Sequence, residues 1–88
     1  MSKNYQTAFE LHKNGNLEEA KKMYEDILKE TPNDFNCLHH LGLIAKNNKE
    51  YLSAIELISR AITINPNSAS AHFNLGNILQ KINQTQKN

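Results

Sequence analysis

Four histidines and one cysteine are the residues of this chain that are most suited to holding a metal ion or supplying a nucleophile. His39 and His40 are adjacent, so on a helix their side chains diverge by about 100° and cannot bind one ion together. His12 and His72 have no second metal-ligating residue three or four positions away on a shared helical face. The pattern therefore favours histidines that pack or line a surface over a metal site.

Cys37 and His40 are three residues apart and close enough on a helix to touch. A catalytic cysteine needs an oriented base and a group that stabilises the developing oxyanion, and the sequence shows neither. A small, partly buried apolar cysteine fits better. No glycine-rich phosphate loop, Ser-His-Asp set or paired acid site is present either. We therefore predict that these residues have no catalytic activity and hold no cofactor.

The charges are balanced, with ten lysines and arginines against nine acidic residues and a net charge of +1. They are scattered along the chain, which argues against nucleic acid as a partner because such proteins carry a clustered basic face. The N-terminus lacks the apolar core of a signal peptide. The uncharged stretch 61–80 contains Pro66 and four asparagines, which argues against a membrane helix. These features predict a cytoplasmic protein.

The chain repeats itself with a period of 34 residues. Pro32 and Pro66 are 34 positions apart, and an asparagine follows each of them. The same shift places Ala20 on Ala54 and the segment LHHLG (38–42) on HFNLG (72–76). A fixed period of this length is the signature of a repeat architecture.

Within each unit the apolar residues recur at three- and four-residue intervals, which predicts helices near 3–14, 17–30, 35–47, 51–64 and 69–82. Asn16 is predicted to cap the second helix, with Glu19 as its capping-box partner. Pro32 ends that helix because the residue before a proline avoids helical geometry. At the turn of the second unit, Asn48 is expected to adopt the left-handed conformation.

A 34-residue helix-turn-helix unit with these residues resembles the tetratricopeptide repeat family. The matching residues are Ala8, Gly15, Leu17, Ala20, Tyr24, Ile27 and Pro32 in the first unit, Leu38, Leu41, Gly42, Tyr51, Ala54, Ala61 and Pro66 in the second, and Leu75, Gly76 and Leu79 in the third. The resemblance implies an all-α superhelix with full repeats at 1–34 and 35–68, a closing helix at 69–82 and a polar tail at 83–88.

In this family the first helix of each pair lines a concave face that binds peptides or proteins. Carried over to this sequence, the predicted peptide-binding residues are Tyr5, Gln6, Phe9, Asn36, His39, His40, Leu43, Phe73, Asn74 and Asn77. Amide side chains can hydrogen-bond the backbone of an extended peptide, and aromatic rings offer apolar area to its side chains. We therefore predict a non-catalytic protein–protein interaction module.

Some relatives clamp the acidic C-terminal peptide of a chaperone with lysine, arginine and asparagine. The corresponding positions here are Tyr5, Phe9, His40, Ser70 and Asn74, and no cation is among them. The resemblance therefore implies that an acidic chaperone C-terminal peptide is not a partner.

Two alternative functions stay open at this point. The closing helix carries more apolar residues than one neighbouring helix can cover, which favours a homodimer through residues 69–82. The segment AHFNLGNILQK (71–81) is similar to the repeats of O-GlcNAc transferase and its bacterial relatives. That likeness implies an N-terminal substrate-recruiting module of a larger transferase.

Overall fold

The computed structural model describes residues 4–86, and over this range the chain forms five helices and no strand. They are α1 (Tyr5–Lys13), α2 (Leu17–Glu30), α3 (Phe35–Asn47), α4 (Tyr51–Ile64) and α5 (Ala69–Gln86). Each helix packs against the next one in the chain, and α3 also contacts α5. Consequently α1, α3 and α5 form one layer, called here the first-helix layer, and α2 and α4 form the other. The predicted all-α helical-repeat fold is confirmed.

The bounds of α2, α3 and α4 are those predicted from the sequence. α1 begins at Tyr5 because Asn4 is its extended N-cap, whose side chain accepts a hydrogen bond of 2.9 Å from the backbone N–H of Thr7. The last helix runs four residues beyond the predicted end at residue 82, since α5 continues to Gln86. No proline or glycine follows residue 82 to stop it. Residues 87 and 88 of the predicted tail lie outside the described residues.

Side-chain caps start α1, α3 and α5, but the predicted cap of α2 is wrong. The Asp34 carboxylate accepts from the Cys37 N–H at 3.0 Å, and Ser68 Oγ accepts from the Ala71 N–H at 3.2 Å. Asn16 makes no side-chain cap bond. Its ψ of 65° differs from the 158° and 110° of Asn4 and Asp34, so its side chain is not aimed at the first helical N–H groups.

Two equivalent turns join the helices within each pair. The left-handed residue is Gly15 in the first turn, with φ 86°, and Lys49 in the second, with φ 64°. Each is followed by the same backbone bond, from Asn16 N–H to Leu11 O and from Glu50 N–H to Ala45 O, both 2.9 Å long. The expectation that Asn48 takes the left-handed conformation is wrong, because its φ is −86°. The residue before the repeated turn bond is left-handed in both turns, whether it is glycine or lysine.

The buried core consists of two clusters that meet at α3. Between α1, α2 and α3 lie Ala8, Ala20, Tyr24, Cys37, Leu41 and Ile44. Between α3, α4 and α5 lie Ala45, Ala54, Ile58, Ala71 and Ile78. Tyr24 and Ile58 are equivalent in the 34-residue repeat, and both are fully buried. The helix α3 is therefore the shared wall of both clusters.

Gly42 permits a close approach of α3 to α4. A Cβ atom at this position would lie 2.6 Å from Cγ1 of Ile58, which no real pair of carbon atoms tolerates. Gly76 is the equivalent glycine of α5, and a Cβ there would meet nothing within 4 Å. Within the described chain, the close contact therefore exists at Gly42 and has no counterpart at Gly76.

Among the described helices, none combines the length and the apolar character needed to cross a lipid bilayer.

Candidate peptide-binding surface

The predicted residues of α1 and α3 meet in a cluster of aromatic rings. Tyr5 and Phe9 stack with ring centroids 5.8 Å apart, and the His40 ring lies 5.5 Å from Tyr5 and 5.4 Å from Phe9. A hydrogen bond of 2.8 Å joins the Tyr5 hydroxyl to Nε2 of His40. All three side chains are partly exposed. They form one rigid apolar area that spans two successive repeats.

Two residues outside the predicted set complete this ring cluster from beneath. The Tyr24 ring of α2 is stacked on His40 at 5.9 Å, and the His12 ring meets His40 edge-on at 5.5 Å. The Tyr24 hydroxyl and Nδ1 of His12 share a hydrogen bond of 3.3 Å. The spacing of Tyr5, Phe9 and His12 along one helical face is the signal that places His12 beside the other two. The position of Tyr24 relative to His40 has no comparable signal in the sequence.

Burial disfavours the protonated form of the three clustered histidines. It lowers the pKa of His40 to about 4, with further lowering from the neighbouring His39 and His12. Burial also lowers the pKa of His39 and of His12. The Nδ1 atom of His40 is buried and makes no hydrogen bond within the described chain. Protonation of His40 would therefore place a positive charge on a desolvated ring that lies beside the rings of His39 and His12.

The predicted residues of α3 and α5 are joined by a second hydrogen bond. Asn74 Nδ2 donates to Nε2 of His39 at 2.9 Å. His39 is only 8% exposed and packs against the Phe35 ring at 5.6 Å. His39 thus lies beneath the surface, where it holds the amide of Asn74 in one orientation. The Oδ1 atom of that amide can still accept a hydrogen bond from a ligand N–H.

The two hydrogen bonds between successive repeats follow one rule. Tyr5 with His40 and His39 with Asn74 are both pairs separated by 35 residues. Tyr5 and His39 occupy the same position of the 34-residue unit, and His40 and Asn74 occupy the next position. The predicted surface is therefore continuous across the first-helix layer, from α1 through α3 to α5.

The remaining predicted residues lie around this continuous row with different exposures. Gln6, Asn36 and Phe73 are exposed, Phe73 at 68%, whereas Leu43 and Asn77 are partly exposed. Phe73 lies next to Asn74 on α5 and is not among the clustered rings of the described chain. The surface thus combines a fixed aromatic part near α1 with a more open part on α5.

A polar hollow extends the surface towards the C-terminal end of α5. Its volume is about 240 Å³, and its lining residues are Lys46, Asn77, Gln80, Lys81 and Gln84. Asn77 belongs to the predicted set, whereas Lys46, Gln80 and Gln84 do not. The spacing of residues 77, 80, 81 and 84 places four of the five lining residues on one face of α5. The fifth, Lys46, comes from α3.

Cys37 does not offer a reactive thiol to this surface. Its side chain is fully buried, and burial together with the Asp34 carboxylate raises the pKa of the thiol to about 12. The thiolate, which is the nucleophilic form, is therefore disfavoured. In the part of the chain that the structure describes, no three His, Cys, Asp or Glu side chains are grouped as metal ligands.

Two family models match the chain at the repeats seen in the structure. A tetratricopeptide repeat model matches residues 4–34, and a model described as a TPR repeat matches residues 48–83. Together they cover well over half of the chain, including α1, α2, α4 and most of α5. The chain belongs to the tetratricopeptide repeat family.

A solved structure supports the tetratricopeptide fold. The structure titled MamA 41-end from Desulfovibrio magneticus RS-1 has a TM-score of 0.80 and 23% sequence identity with this chain. The match covers 92% of this chain and 46% of that one, so the chain spans less than half the length of this neighbour. Tetratricopeptide repeats typically mediate protein interactions, and membership of the family supports that general role here. The likeness of the third unit to O-GlcNAc transferase repeats stays a prediction.

Proposed function

We propose that this tetratricopeptide repeat chain binds an extended peptide segment of a partner protein on the first-helix layer, without catalysing a reaction. The observation that carries the proposal is the row of Phe9, Tyr5, His40 and Asn74 across the first-helix layer. Inter-repeat hydrogen bonds hold it, one of 2.8 Å between Tyr5 and His40 and one of 2.9 Å between Asn74 and the buried His39 beneath it. A surface fixed before binding loses little conformational freedom when a ligand arrives. The aromatic part suits an apolar side chain of the peptide, and the amides of Asn74 and Asn77 suit its backbone.

The test is a selection of peptides from a random display library, followed by affinity measurements on substituted chains. Phe73→Ala and Asn77→Ala are the informative variants, since both side chains are accessible and neither belongs to the buried core. Leu52→Ala is the matched control, because Leu52 is an apolar residue of α4 that is 80% exposed in the other layer. We expect the first two changes to weaken binding about tenfold, as loss of roughly 1.4 kcal/mol of contact does. Equal loss in all three variants, or no loss in any, contradicts the proposal.

An acidic chaperone C-terminal peptide is not the proposed ligand. The positions that would clamp its terminal carboxylates carry Tyr5, Phe9, His40, Ser70 and Asn74, and burial keeps the one imidazole among them neutral. We expect no measurable binding of such a peptide in calorimetry. Micromolar affinity for it would show that the positional argument is wrong.

A second candidate function is self-association through α5, and the open environment of Gly76 favours it. Gly42 of α3 is covered by Ile58 of α4, whereas no atom of the described residues would lie within 4 Å of a Cβ at the equivalent Gly76. The same helix exposes Phe73 at 68% and Leu79 at 50%. A second copy could cover this face, and light scattering over a range of concentrations tests it. A molecular mass that stays monomeric at the highest concentration would exclude self-association.

A further inference from the structure

A cleft with an apolar floor lies between α2 and α4, in the layer that does not carry the proposed peptide surface. Its volume is about 290 Å³. Leu41, Ile44 and Ala45 of α3 form the floor, and each of them is at most 7% exposed. Leu57 of α4 adds a partly exposed apolar edge. An apolar stem that enters the cleft would therefore lose its contact with water.

Charged side chains form the rim of this cleft. Lys21 and Glu25 line it from α2. Glu56 and Arg60 line it from α4, and Glu50 lines it from the residue that precedes α4. None of these five side chains forms an ion pair with another described residue. The rim therefore carries three carboxylates and two cations that are available to a ligand.

The unbalanced carboxylate of the rim is Glu50. Lys21 is four residues from Glu25 on α2, so this cation has a carboxylate on its own helical face. Glu56 and Arg60 have the same spacing on α4. Glu50 has no lysine or arginine three or four residues further along α4. The negative charge of the rim is therefore concentrated at the start of that helix.

The start of α4 adjoins the apolar floor. The backbone N–H of Glu50 donates a hydrogen bond of 2.9 Å to the carbonyl oxygen of Ala45, which places these two residues side by side. Ser53 and Glu56 follow Glu50 at three-residue spacing, so the three side chains share one helical face. Two carboxylates and a hydroxyl thus lie next to buried apolar side chains.

The whole layer has the same negative character. Together α2 and α4 contain six acidic residues and four lysines or arginines, although the net charge of the full chain is +1. A surface of one sign attracts a partner of the opposite sign and orients its approach. The layer is therefore complementary to a basic segment of a partner.

We propose that this cleft is a second interaction site, which takes an arginine side chain of a partner protein. The apolar stem of the arginine lies on the floor at Ala45 and Leu57, and its guanidinium group binds the carboxylates of Glu50 and Glu56. A guanidinium has five N–H donors in a planar fork and can bind two carboxylates at once, whereas the ammonium of lysine is a compact point charge. The site is separate from the first-helix layer, so a peptide bound there leaves it accessible.

The test is an NMR titration of the isotope-labelled full chain with three capped peptides. The probes are Ac-Ala-Ala-Arg-Ala-Ala-NH2 and the same peptide with lysine or glutamine in place of arginine. We expect the arginine peptide to shift the backbone amide signals of Ala45, Ser53 and Leu57. Its affinity should be about fivefold higher than that of the glutamine peptide, which corresponds to two exposed ion pairs. The lysine peptide should bind with an affinity between the two.

Three results of this titration would overturn the proposal. They are equal affinities of the arginine and glutamine peptides, a lysine peptide that binds as tightly as the arginine peptide, and signal shifts confined to the first-helix layer. High salt should reduce the advantage of the arginine peptide because it screens exposed charges, and an advantage that salt leaves unchanged contradicts the assigned ion pairs.

Two pairs of substitutions assign the effect to the cleft. The double change Glu50→Gln and Glu56→Gln should abolish the advantage of the arginine peptide. The matched control is Glu18→Gln with Glu30→Gln, which removes the same charge from α2 outside the cleft and should leave the advantage intact. All four side chains are exposed, so we expect both double variants to fold. An advantage that survives the first pair, or an equal loss in both pairs, overturns the proposal.

Methylguanidine separates the contribution of the head group from that of the stem. It carries the guanidinium without the apolar stem, and we expect it to bind about fivefold more weakly than the arginine peptide because it buries less apolar surface on the floor. Equal or tighter binding of methylguanidine overturns the assignment to an arginine side chain.

Discussion

Replacing Gly42 or Gly76 by alanine is one chemical change at two equivalent positions, and we expect opposite effects on stability. Both glycines lie within helices and are 34 residues apart. Alanine is favoured over glycine in a helix by about 1 kcal/mol, and this gain applies equally to both sites. Any difference between the two variants therefore reports the surroundings of the added methyl group.

The added methyl group at Gly42 has no space. It would lie 2.6 Å from Cγ1 of Ile58, 3.2 Å from Cδ1 of the same residue and 3.4 Å from Cβ of Leu57. Ile58 is fully buried, and its β-branched side chain has little rotational freedom. Overpacking of this kind costs about 1–3 kcal/mol. Since Cγ1 is the atom in the way, we take the upper half of that range, about 2–3 kcal/mol. After the gain of about 1 kcal/mol in helix propensity is subtracted, Gly42→Ala should lower the free energy of unfolding by about 1–2 kcal/mol.

The added methyl group at Gly76 meets no other atom within 4 Å in the part of the chain that the structure describes. Gly76→Ala should therefore raise the free energy of unfolding by about 0.5–1 kcal/mol, from helix propensity alone. The two variants should differ by about 2–3 kcal/mol, which is the packing cost at Ile58.

Urea unfolding followed by circular dichroism measures both values, and low protein concentration keeps any self-association out of the comparison. If the two variants change stability in the same direction by the same amount, the close approach of α3 to α4 is refuted. A loss of stability in Gly76→Ala that grows with protein concentration would instead show that a second copy covers α5.

Three further predictions concern single residues. The pKa of His40 is about 4 in the folded chain, against 6.5 for an ordinary histidine. As the pH falls, the unfolded chain therefore binds a proton at His40 before the folded chain does. Urea titrations should show that the free energy of unfolding falls between pH 6.5 and pH 4, with a loss of about 2 kcal/mol at pH 5. His40→Gln should flatten this pH dependence. Lys49→Gly should raise the melting temperature because it removes about 1 kcal/mol of left-handed strain, and an unchanged melting temperature would contradict the φ of 64°. Asp34→Ala should cost about 1 kcal/mol in urea unfolding by removing the acceptor for Cys37 N–H, whereas Asp34→Asn, which keeps a capping oxygen, should cost much less.

The fold was accessible from the sequence because its signals are local and repeated. The apolar spacing and the two prolines give α2, α3 and α4 their observed bounds, since they act within one helix or at its end. The errors fall where local signals compete. Asn16 has the residue type of an N-cap but not the backbone angle, and the polar residues after Ile82 stay helical because nothing stops them.

The composition of the candidate surface was also accessible, because the 34-residue period aligns the first helix of each pair. Its internal pairing was not, since Tyr5 meets His40 and His39 meets Asn74 across 35 residues rather than 34. That one-residue offset depends on how successive helices are rotated relative to each other. This rotation cannot be predicted from the sequence of one helix. The same reason explains why Tyr24 beneath His40 and Lys46 beside Asn77 emerged only from the structure.

The sequence by itself determined the repeat, its helices and the residues of the first-helix layer, because periodic spacing and helix-ending residues act over a few positions. The tertiary structure decided what each of those residues does. Equivalent residues diverge in role because each repeat has different neighbours: Ile58 covers Gly42, whereas no described residue covers Gly76.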